Sequence, residues 1–522
     1  METMQRSSVS KDRSAVSPSA VSALGGERGA AGANRAAGVT RELCPGIPRR
    51  LHLLGAGGAG VSGAARVLCE HGHVLAGHDR AEGPHVELLR SMGVDVLVTP
   101  QAEGRLPAGV EMLVRSAAIP HEDPQVREAE ERGIPVLKYS ELLGRLTPAG
   151  RTLAVAGTHG KTTTSWLTYH AACGVAESLD LARPGAIVGG ICARLGTNAV
   201  SHEPHGMFVV EACEYDSSFL RLAPQGAIVT NVEDDHLDYF GTTEAIWQDF
   251  SRFANKVNPQ GLMVIGEKVP RVVETSARCP VWRYGRDLFA DLLGERQGRF
   301  TIRLRGTGFE IPSIELGVPG QFNVENAALA LGLVIGTSAR LWECDVGTTA
   351  LAAAHGLERF GGAKRRFESW GRSGATEIVH DYAHHPTEVR VTLEAARRVF
   401  PGRPLHVLFQ PHQHSRTSRF LAEFVDALRA ADRVVVADVY GARTHIDGKN
   451  TATAHDLAAG VMRRGTAAIA PGDRGASTRA FAAGLPAHSV GLVLGAGDIE
   501  DVKDELLAHL ALRGDSRSPA GR

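Results

Sequence analysis

Short apolar runs alternate with longer Ala- and Leu-rich segments of helical character along the first part of the chain. Buried parallel strands read as short continuous apolar runs, and helices fill the connections between them. The pattern therefore predicts a doubly wound parallel α/β sheet over residues 49–145. Its predicted strands are Arg50–Leu54, Val74–Asp79, Val94–Val98, Glu111–Arg115 and Pro135–Lys138.

The same alternation begins twice more along the chain. Residues 146–356 contain the predicted strands Thr152–Ala156, Phe208–Glu211 and Ala227–Asn231, and residues 357–512 contain Leu405–Gln410, Arg433–Asp438 and Ser489–Gly495. A chain of 522 residues is too long for one core. The sequence therefore predicts an α/β protein of three domains, with these three ranges as the domains.

The ends of the chain and its composition narrow the class of protein. Residues 1–48 are rich in Ser, Ala, Gly and Arg without a signal-peptide core, so we expect a disordered extension there and a disordered tail over 513–522. No apolar run reaches the ~18 residues of a membrane span. The net charge of -1 argues against nucleic-acid and membrane partners. Seven scattered cysteines without a C-x-x-C pair indicate free thiols in the cytoplasm.

A phosphate-binding loop follows the first strand of the second domain. It comprises Gly157, Thr158, His159, Gly160, Lys161, Thr162 and Thr163. Such a loop points backbone N–H groups and a helix N-terminus at an anion, so we expect ATP, with Lys161 on its phosphates and Thr162 on Mg²⁺. Val155 stands where the general Walker A pattern has its first glycine. The alternative is an ordinary glycine turn before a helix.

Two further predicted strands of this domain end in acidic segments, Glu211–Asp216 and Asn231–Asp238. A hard cation bridging phosphates prefers oxygen ligands and tolerates imidazole. Glu211 and His236 could therefore complete a metal site that begins at Thr162. The alternative is a pair of solvated acidic loops.

A second glycine turn follows the first strand of the chain, with Gly55, Gly57, Gly58 and Gly60 before a helical segment. A pyrophosphate-binding turn requires this arrangement, and Asp79 could contact a ribose. Any nucleotide diphosphate offers the same pyrophosphate, so an NAD-dependent dehydrogenase is a rival interpretation.

The third domain carries two groups of polar residues. His380–Glu388 includes His384 and His385 beside acids, and these could be metal ligands, acid/base groups or nucleotide contacts. Lys364–Arg366 and Gln410–Thr417 are basic, and arginine suits phosphates and carboxylates. The alternatives are structural histidines and solvated charges.

Together these segments resemble the Mur ligases, the ATP-dependent amide-forming enzymes of peptidoglycan synthesis. The resemblance covers roughly residues 49–512, and its markers occur in order. They are G-x-G-G-x-G-x-S-G at Gly55–Gly63, A-x-x-G-T-H-G-K-T-T-T at Ala154–Thr164, E-A-x-E-x-D at Glu211–Asp216, T-N-x-E-x-D-H-x-D at Thr230–Asp238, P-G-x-x-N-x-x-N-A at Pro319–Ala327, R-R-F at Arg365–Phe367 and D-Y-A-H-H-P-T-E at Asp381–Glu388.

The resemblance implies an N-terminal Rossmann-like domain for a UDP-sugar, a central P-loop ATPase domain and a C-terminal Rossmann-like domain. It also implies roles for particular residues. The implied catalytic residues are Lys161, His236, His384 and Arg416; the implied ATP contacts outside the loop are Asn323, Asn326, Arg365 and Asp381; the implied substrate contacts are Gly55, Gly57, Gly58, Gly60, Asp79, Ser116 and His384; the implied metal ligands are Thr162, Glu211 and His236. Phe322 stands where many relatives have histidine near adenine.

The activity implied by the resemblance is ATP-dependent ligation of L-alanine to the lactyl carboxylate of UDP-N-acetylmuramate through an acyl phosphate. That reaction serves cell-wall biogenesis, cell shape and division in the cytoplasm. The glycine turn at Gly55–Gly60, Glu388 and the absence of a lysine near Ser251 favour this alanine-adding branch. Alternatives are attachment of a whole murein tripeptide to the same UDP-sugar and a nucleotide-binding module without catalysis. We expect a monomer or a homodimer.

Overall fold

A computed structural model describes residues 46–441 and 451–515. The predicted extension and tail therefore lie almost wholly outside the described residues. The described chain forms three α/β units in sequence order, each with its own sheet, and the predicted fold class is confirmed. Among the described residues, no helix is both long and apolar enough to cross a membrane.

The N-terminal unit is a five-stranded, fully parallel sheet of order β3-β2-β1-β4-β5. Side-chain burial is strongest on its central strand β1, where four of five residues are buried. Its elements are β1 (Arg50–Leu54), α1 (Ala59–Glu70), β2 (Val74–Asp79), α2 (Pro84–Ser91), β3 (Asp95–Val98), β4 (Met112–Arg115), α3 (Pro124–Glu131), β5 (Val136–Lys138) and α4 (Tyr139–Leu146).

The central unit is built on a seven-stranded sheet of order β12-β11-β10-β6-β9-β7-β8, in which only β8 runs antiparallel to its neighbour. Its first elements are β6 (Thr152–Ala156), α5 (Lys161–Ser178), β7 (Gly185–Cys192), β8 (Thr197–Val200), β9 (Phe208–Glu211), β10 (Gly226–Val229), α6 (Leu237–Phe240), α7 (Thr243–Ala254), β11 (Leu262–Ile265), α8 (Arg271–Thr275) and β12 (Val281–Arg283). The central strand β6 is buried throughout, so its carboxyl end delivers the phosphate loop to a fixed position.

A separate antiparallel sheet, which the sequence pattern did not predict, follows in the same unit. It consists of β13 (Leu288–Arg296), β14 (Arg299–Gly306) and β15 (Phe309–Glu315). The helices α9 (Phe322–Trp342) and α10 (Val346–Leu357) complete the unit. Ile302 and Leu304 of this sheet pack with α5, α9 and α10 into one core on that face of the central sheet.

The C-terminal unit is a six-stranded sheet of order β16-β17-β21-β18-β19-β20, parallel except for the β16–β17 hairpin. Its elements are β16 (Glu368–Ser373), β17 (Thr376–Asp381), α11 (Pro386–Val399), β18 (Leu405–Phe409), α12 (His414–Arg419), α13 (Leu421–Leu428), β19 (Arg433–Ala437), α14 (Ala454–Arg463), β20 (Ala467–Gly472), α15 (Arg474–Gly484), β21 (Val490–Leu494) and α16 (Lys503–Asp515). A core on each face of the sheet is covered by helices, as a doubly wound fold requires.

Candidate functional site

The phosphate loop connects the carboxyl end of β6 to the start of α5. Gly157 and Gly160 have φ values of 131° and 83°, a left-handed region that favours glycine. A Cβ on Gly157 would lie 2.0 Å from Thr230 Oγ1, so no side chain fits there. The end of β10 shapes the loop, because Asn231 Oδ1 accepts from His159 N at 2.9 Å and Thr230 Oγ1 donates to His159 O at 2.6 Å.

Lys161 lies folded over this loop. Its Nζ donates to Gly157 O at 2.6 Å, to Thr158 O at 3.0 Å and to Glu214 Oε1 at 3.0 Å. Burial alone would lower the pKa of Lys161, but the nearby carboxylates Glu214 and Glu211 outweigh burial and raise the pKa. The ammonium is therefore charged and is held on the backbone of the phosphate loop.

Two of the three predicted metal ligands, Thr162 and Glu211, meet at the start of α5. Thr162 Oγ1 donates to Glu211 Oε1 at 3.2 Å, and Gly189 N donates to Glu211 Oε2 at 2.8 Å. His236 directly precedes α6 and has a left-handed φ of 53°, and its buried Nδ1 has no hydrogen-bond partner among the described residues. A hydroxyl beside a carboxylate suits a divalent cation near phosphates. His236 lines a different pocket, together with Asp235 and Arg416.

A first cleft of about 1120 Å³ opens beside the phosphate loop. We call it the nucleotide cleft. Its apolar wall includes Phe322, which is 40% exposed, and its polar wall is the pair in which Asn326 Nδ2 donates to Asn323 Oδ1 at 2.9 Å. Gly160 lies against Asn326, since a Cβ on this glycine would be 3.0 Å from Asn326 Oδ1. The residues that line the cleft include His159, Gly160, Thr163, Val318, Phe322, Asn323, Asn326, Phe360, Arg366, Phe367 and Asp381.

Asp381 lies at the end of β17, where its carboxylate holds the surrounding backbone. Its oxygens accept from Phe367 N at 2.7 Å and from Ala383 N at 2.8 Å. Burial raises the pKa of Asp381 to about 6, against the opposing effect of Arg366. The predicted ribose contact thus lies in the nucleotide cleft, but both of its oxygens already accept backbone hydrogen bonds.

The C-terminal unit closes against the phosphate loop through charged and polar contacts. His159 Nδ1 lies 3.3 Å from Glu388 Oε1, and His159 Nε2 lies 3.5 Å from Glu233 Oε2. Thr387 Oγ1 also donates to Glu233 Oε2 at 2.8 Å. Burial would lower the pKa of His159, but the carboxylates on either side raise it to about 9. The protonated ring is therefore a bridge between the loop and the C-terminal unit.

A second contact between these units lies at the predicted catalytic residues. Arg416 Nη2 donates to Asp235 Oδ1 at 2.6 Å, and both side chains are buried. Arg416 Nη1 lies 3.2 Å from His412 Nδ1, and the His412 ring lies 5.7 Å from that of His384. Arg416 and His236 line one pocket of about 780 Å³, which His384 does not line.

His384 and His385 differ in their surroundings. His384 Nδ1 lies 3.0 Å from Tyr382 O and 3.2 Å from Glu388 Oε2. His385 caps α11, because its Nδ1 accepts from Thr387 N, and burial lowers the pKa of His385 to about 4. The imidazole of His385 is therefore neutral and has a structural task.

The glycine turn of the N-terminal unit packs tightly against its neighbours. Gly57 N donates to Asp79 Oδ2 at 2.8 Å, so the predicted ribose contact holds the turn itself. A Cβ on Gly55 would lie 2.8 Å from Ser116 Cβ, and one on Gly60 would lie 2.6 Å from the Tyr139 ring. Because glycine has no Cβ, the backbone at positions 55 and 60 can approach these side chains so closely.

A second cleft of about 1770 Å³ runs from this glycine turn to the phosphate loop. We call it the substrate cleft. It is lined by Gly57 at one end, by Thr162 and Glu211 at the other, and by a wall of the C-terminal unit that includes Arg365. Arg365, predicted as an ATP contact, lines this cleft and not the nucleotide cleft, whereas Arg366 lines both.

Some residues of the site did not emerge from the sequence. Glu214, Glu233 and Asp235 stood inside the acidic segments, where adjacent carboxylates gave no way to choose among them. Tyr139 carried no signal at all, because it is the first residue of the short helix α4 and lies far from any motif. Its neighbour Lys138 ties the N-terminal unit to the central one through a 2.7 Å ion pair with Asp216.

Comparison with known proteins covers all three units. Sequence models of the Mur ligase family match residues 50–151 (catalytic domain), 155–334 (middle domain) and 365–497 (glutamate ligase domain). The UDP-N-acetylmuramate--L-alanine ligase of Kineococcus radiotolerans is 40% identical over 491 residues, which cover 91% of this chain and 100% of that protein.

Solved structures share the architecture. The UDP-N-acetylmuramate-alanine ligase of Thermotoga maritima matches with a TM-score of 0.72 and 23% identity, over 90% of this chain and 99% of that one. A murein peptide ligase from Psychrobacter arcticus matches with a TM-score of 0.65 and 20% identity, over 89% and 99%. These likenesses confirm the three-domain architecture. Together with the sequence matches, they show that the chain belongs to the Mur ligase family.

Proposed function

We propose that the chain joins L-alanine to the lactyl carboxylate of UDP-N-acetylmuramate at the expense of ATP. The products are UDP-N-acetylmuramoyl-L-alanine, ADP and phosphate, in peptidoglycan synthesis. One observation carries the proposal: Thr163 lines the nucleotide cleft while its neighbour Thr162 lines the substrate cleft. The two clefts thus meet at the first turn of α5, where a phosphate and a carboxylate can react. The name of the relative that is 40% identical supports the same activity.

The chemical problem explains why the two clefts must meet. A carboxylate does not condense with an amine in water, so the γ-phosphoryl group of ATP is first transferred to the carboxylate oxygen. The resulting acyl phosphate is attacked by the amine, and phosphate leaves. Lys161 offsets the charge that the transferring group carries, because its ammonium is already held on the phosphate loop.

ATP occupies the nucleotide cleft in this proposal. Its phosphates lie on the backbone of Gly157–Thr163, and the adenine lies between the amide pair Asn323–Asn326 and the Phe322 ring. Asp381 contacts the ribose through its carboxylate edge. The apolar wall and the two amides supply the stacking surface and the polar contacts that a purine needs.

Thr162, Glu211 and His236 would hold Mg²⁺ beside these phosphates. Bound there, the ion supplies charge neutralisation for phosphoryl transfer. The contact between Thr162 and Glu211 and the orphaned His236 Nδ1 support this assignment.

UDP-N-acetylmuramate occupies the substrate cleft. Its pyrophosphate lies at the turn formed by Gly55, Gly57, Gly58 and Gly60, near the start of α1. Asp79 and Ser116 contribute by holding that turn, and the lactyl carboxylate points toward Thr162. We infer this direction because the cleft runs from the glycine turn to the phosphate loop.

The incoming L-alanine binds beside Arg416, whose guanidinium suits its carboxylate. The amine must lose a proton before it attacks, and His384 is the favoured acceptor. His385 is a poor choice because its Nδ1 caps α11. His412 contacts both His384 and Arg416, which supports placing the proton acceptor near the site of the amino acid.

The predicted domains 49–145, 146–356 and 357–512 would act as three bodies that close around the two nucleotides. Closure excludes water from the acyl phosphate. The reaction uses ATP and a UDP-sugar, so we assign it to the cytoplasm, by a monomer or a homodimer.

Phosphate release tests the proposed function. Full-length protein is supplied with ATP, Mg²⁺ and UDP-N-acetylmuramate, and then with L-alanine, L-serine, glycine or the murein tripeptide in separate reactions. Release that depends on L-alanine, with the ligated product seen by mass spectrometry, is expected. Release only with the tripeptide would instead assign the chain to tripeptide attachment, and no release with any acceptor would refute a ligase.

A further inference from the structure

The wall of the substrate cleft that belongs to the C-terminal unit carries four basic side chains, Lys364, Arg365, Arg366 and Lys503. Arg366 also lines the nucleotide cleft, and we call the other three the basic lip. The lip shares the cleft with Gly57 and His85 of the N-terminal unit. Within the described residues, the ammonium groups of Lys364 and Lys503 form no hydrogen bond or ion pair. Burial lowers the pKa of His85, and the charges of Arg365 and Lys364 lower it further.

Arg365 is held in an unusual and oriented conformation. Its φ of 64° lies in the left-handed region, which costs free energy for any residue but glycine. Its guanidinium carbon lies 4.3 Å from the centre of the Tyr382 ring, and its Nε lies 2.9 Å from Glu500 Oε2. In the described part of the chain its two terminal nitrogens donate no hydrogen bond. The side chain thus presents a fixed fork of donors to the cleft.

The acidic residues around the lip are largely paired with other cations. Glu82 forms a 2.8 Å ion pair with Arg90, and Asp501 forms a 2.9 Å ion pair with Arg474. Glu500 is shared with Arg365 itself. Glu368 also lines the cleft, and its Oε2 accepts from Arg365 N at 2.8 Å. Among the described residues, no acid of the cleft forms an ion pair with Lys364 or Lys503, so both ammonium groups are available to an anion.

We propose that the basic lip binds the diphosphate of the sugar nucleotide, with Arg365 as a bidentate donor, opposite the glycine turn. This inference rests on the proposed function and adds to it a second wall, supplied by the C-terminal unit. The diphosphate is then held between backbone N–H groups on one side and a guanidinium on the other. Binding of the sugar nucleotide thereby draws the C-terminal unit into its closed position.

The phosphates of ATP are the alternative ligand for Arg365, because they offer the same anionic oxygens as the diphosphate of the sugar nucleotide. Arg366, the next residue, lines both clefts, whereas Arg365 lines the substrate cleft only. The positive φ at Arg365 and at Phe367 turns the chain so that Arg365 lies in the substrate cleft alone, whereas Arg366 reaches both clefts. The assignment of Arg365 to the sugar nucleotide follows from this separation.

Calorimetry on full-length Arg365→Gln tests the proposal. Dissociation constants are measured for UDP-N-acetylmuramate, UDP and UMP with a saturating non-hydrolysable ATP analogue, and for the analogue alone. We expect about tenfold weaker binding of UDP-N-acetylmuramate and UDP, a smaller change for UMP, and analogue binding within about twofold. Arg372→Gln is the matched control, because Arg372 of β16 pairs with Glu377 of β17 and does not line either cleft.

The other outcomes are equally decisive. Weaker binding of the ATP analogue alone would assign Arg365 to ATP, and unchanged binding of every ligand would remove the lip from recognition. If Arg365→Gln melts at a markedly lower temperature, the exposed Lys364→Gln replaces it, with a smaller loss for UDP expected. Failure of the proposed function is distinguishable, since the unmodified protein would then fail to bind UDP-N-acetylmuramate or to release phosphate with L-alanine.

Discussion

Arg416 of the C-terminal unit donates to Asp235 of the central unit at 2.6 Å, and both side chains are buried. Breaking a buried pair by removing one partner leaves an uncompensated charge, at a cost of about 3–5 kcal/mol. Asp235 follows β10, the strand that also shapes the phosphate loop. The pair therefore links the closed position of the C-terminal unit to the geometry of the loop.

Asp235→Asn should weaken closure and lower kcat/KM about tenfold or more, because Arg416 loses its counter-charge. Steady-state kinetics and small-angle scattering measure the effect. Arg419→Gln serves as the control, since its contact with Asp234 at 3.3 Å is half-exposed. Equal losses in both variants would argue against a special role for the buried pair.

Lys161→Ala should abolish ADP release, because the transferring phosphoryl group loses its nearest cation. A loss of about a hundredfold or more in kcat is expected for removal of such an electrostatic contact. A coupled ADP assay measures it, with the exposed Lys256→Ala as the control. Near-normal turnover of Lys161→Ala would contradict the assigned role.

Glu211→Ala should raise the Mg²⁺ concentration needed for half-maximal activity, because one oxygen ligand is lost. Removal of a carboxylate ligand should shift that midpoint about tenfold or more. Activity is titrated against Mg²⁺, and Glu244→Ala, an exposed acid on α7, is the control. An unchanged midpoint would exclude Glu211 from the metal site.

The closed interface should loosen at alkaline pH. The folded-state pKa of His159 is raised to about 9 from 6.5, so its stabilisation is fully present below about pH 6.5 and is lost as pH rises through about 9. The pKa of the Glu233 carboxylate is lowered to about 2, so its contribution to the stability of the interface is lost only in acid. Thermal melting from about pH 6 to about pH 10 measures the loss.

In His159→Gln, the melting temperature should no longer fall as the pH rises toward about 9. In His121→Gln, the fall at alkaline pH should remain. His121 is exposed, and its ion pair with Glu130 is solvated. The raised pKa of His159 corresponds to a stabilisation on the order of 3 kcal/mol. An alkaline limb that persists in His159→Gln would assign the pH dependence to another group.

The sequence predicted the parts of the fold that depend on local signals. Buried runs such as Thr152–Ala156 and Phe208–Glu211 became strands at the predicted positions. The sheet of β13, β14 and β15 escaped prediction, because its strands carry alternating and often charged residues that gain their core only against α9 and α10. Tertiary packing decides such strands, and the chain alone does not display it.

The candidate site divides in the same way. The phosphate loop and the Thr162–Glu211 contact could be expected, since parallel strands end at one edge of a sheet. The location of Arg365 could not be expected, because nothing in the sequence distinguishes the two adjacent arginines. Only the left-handed backbone at Arg365 distinguishes their positions. The spacing of Asp79 from the glycine turn likewise predicted a ribose contact, yet its Oδ2 accepts a hydrogen bond from Gly57 N.

The neighbours Thr162 and Thr163 have a practical meaning for inhibition. Successive residues of a helix point about 100° apart, so one turn of α5 forms a thin partition between two binding sites. A compound that bridges the partition would combine two modest affinities within one molecule and gain from their effective concentration. Resistance by substitution would be difficult, because a larger side chain on this turn would obstruct the enzyme's own reactants as well as the drug.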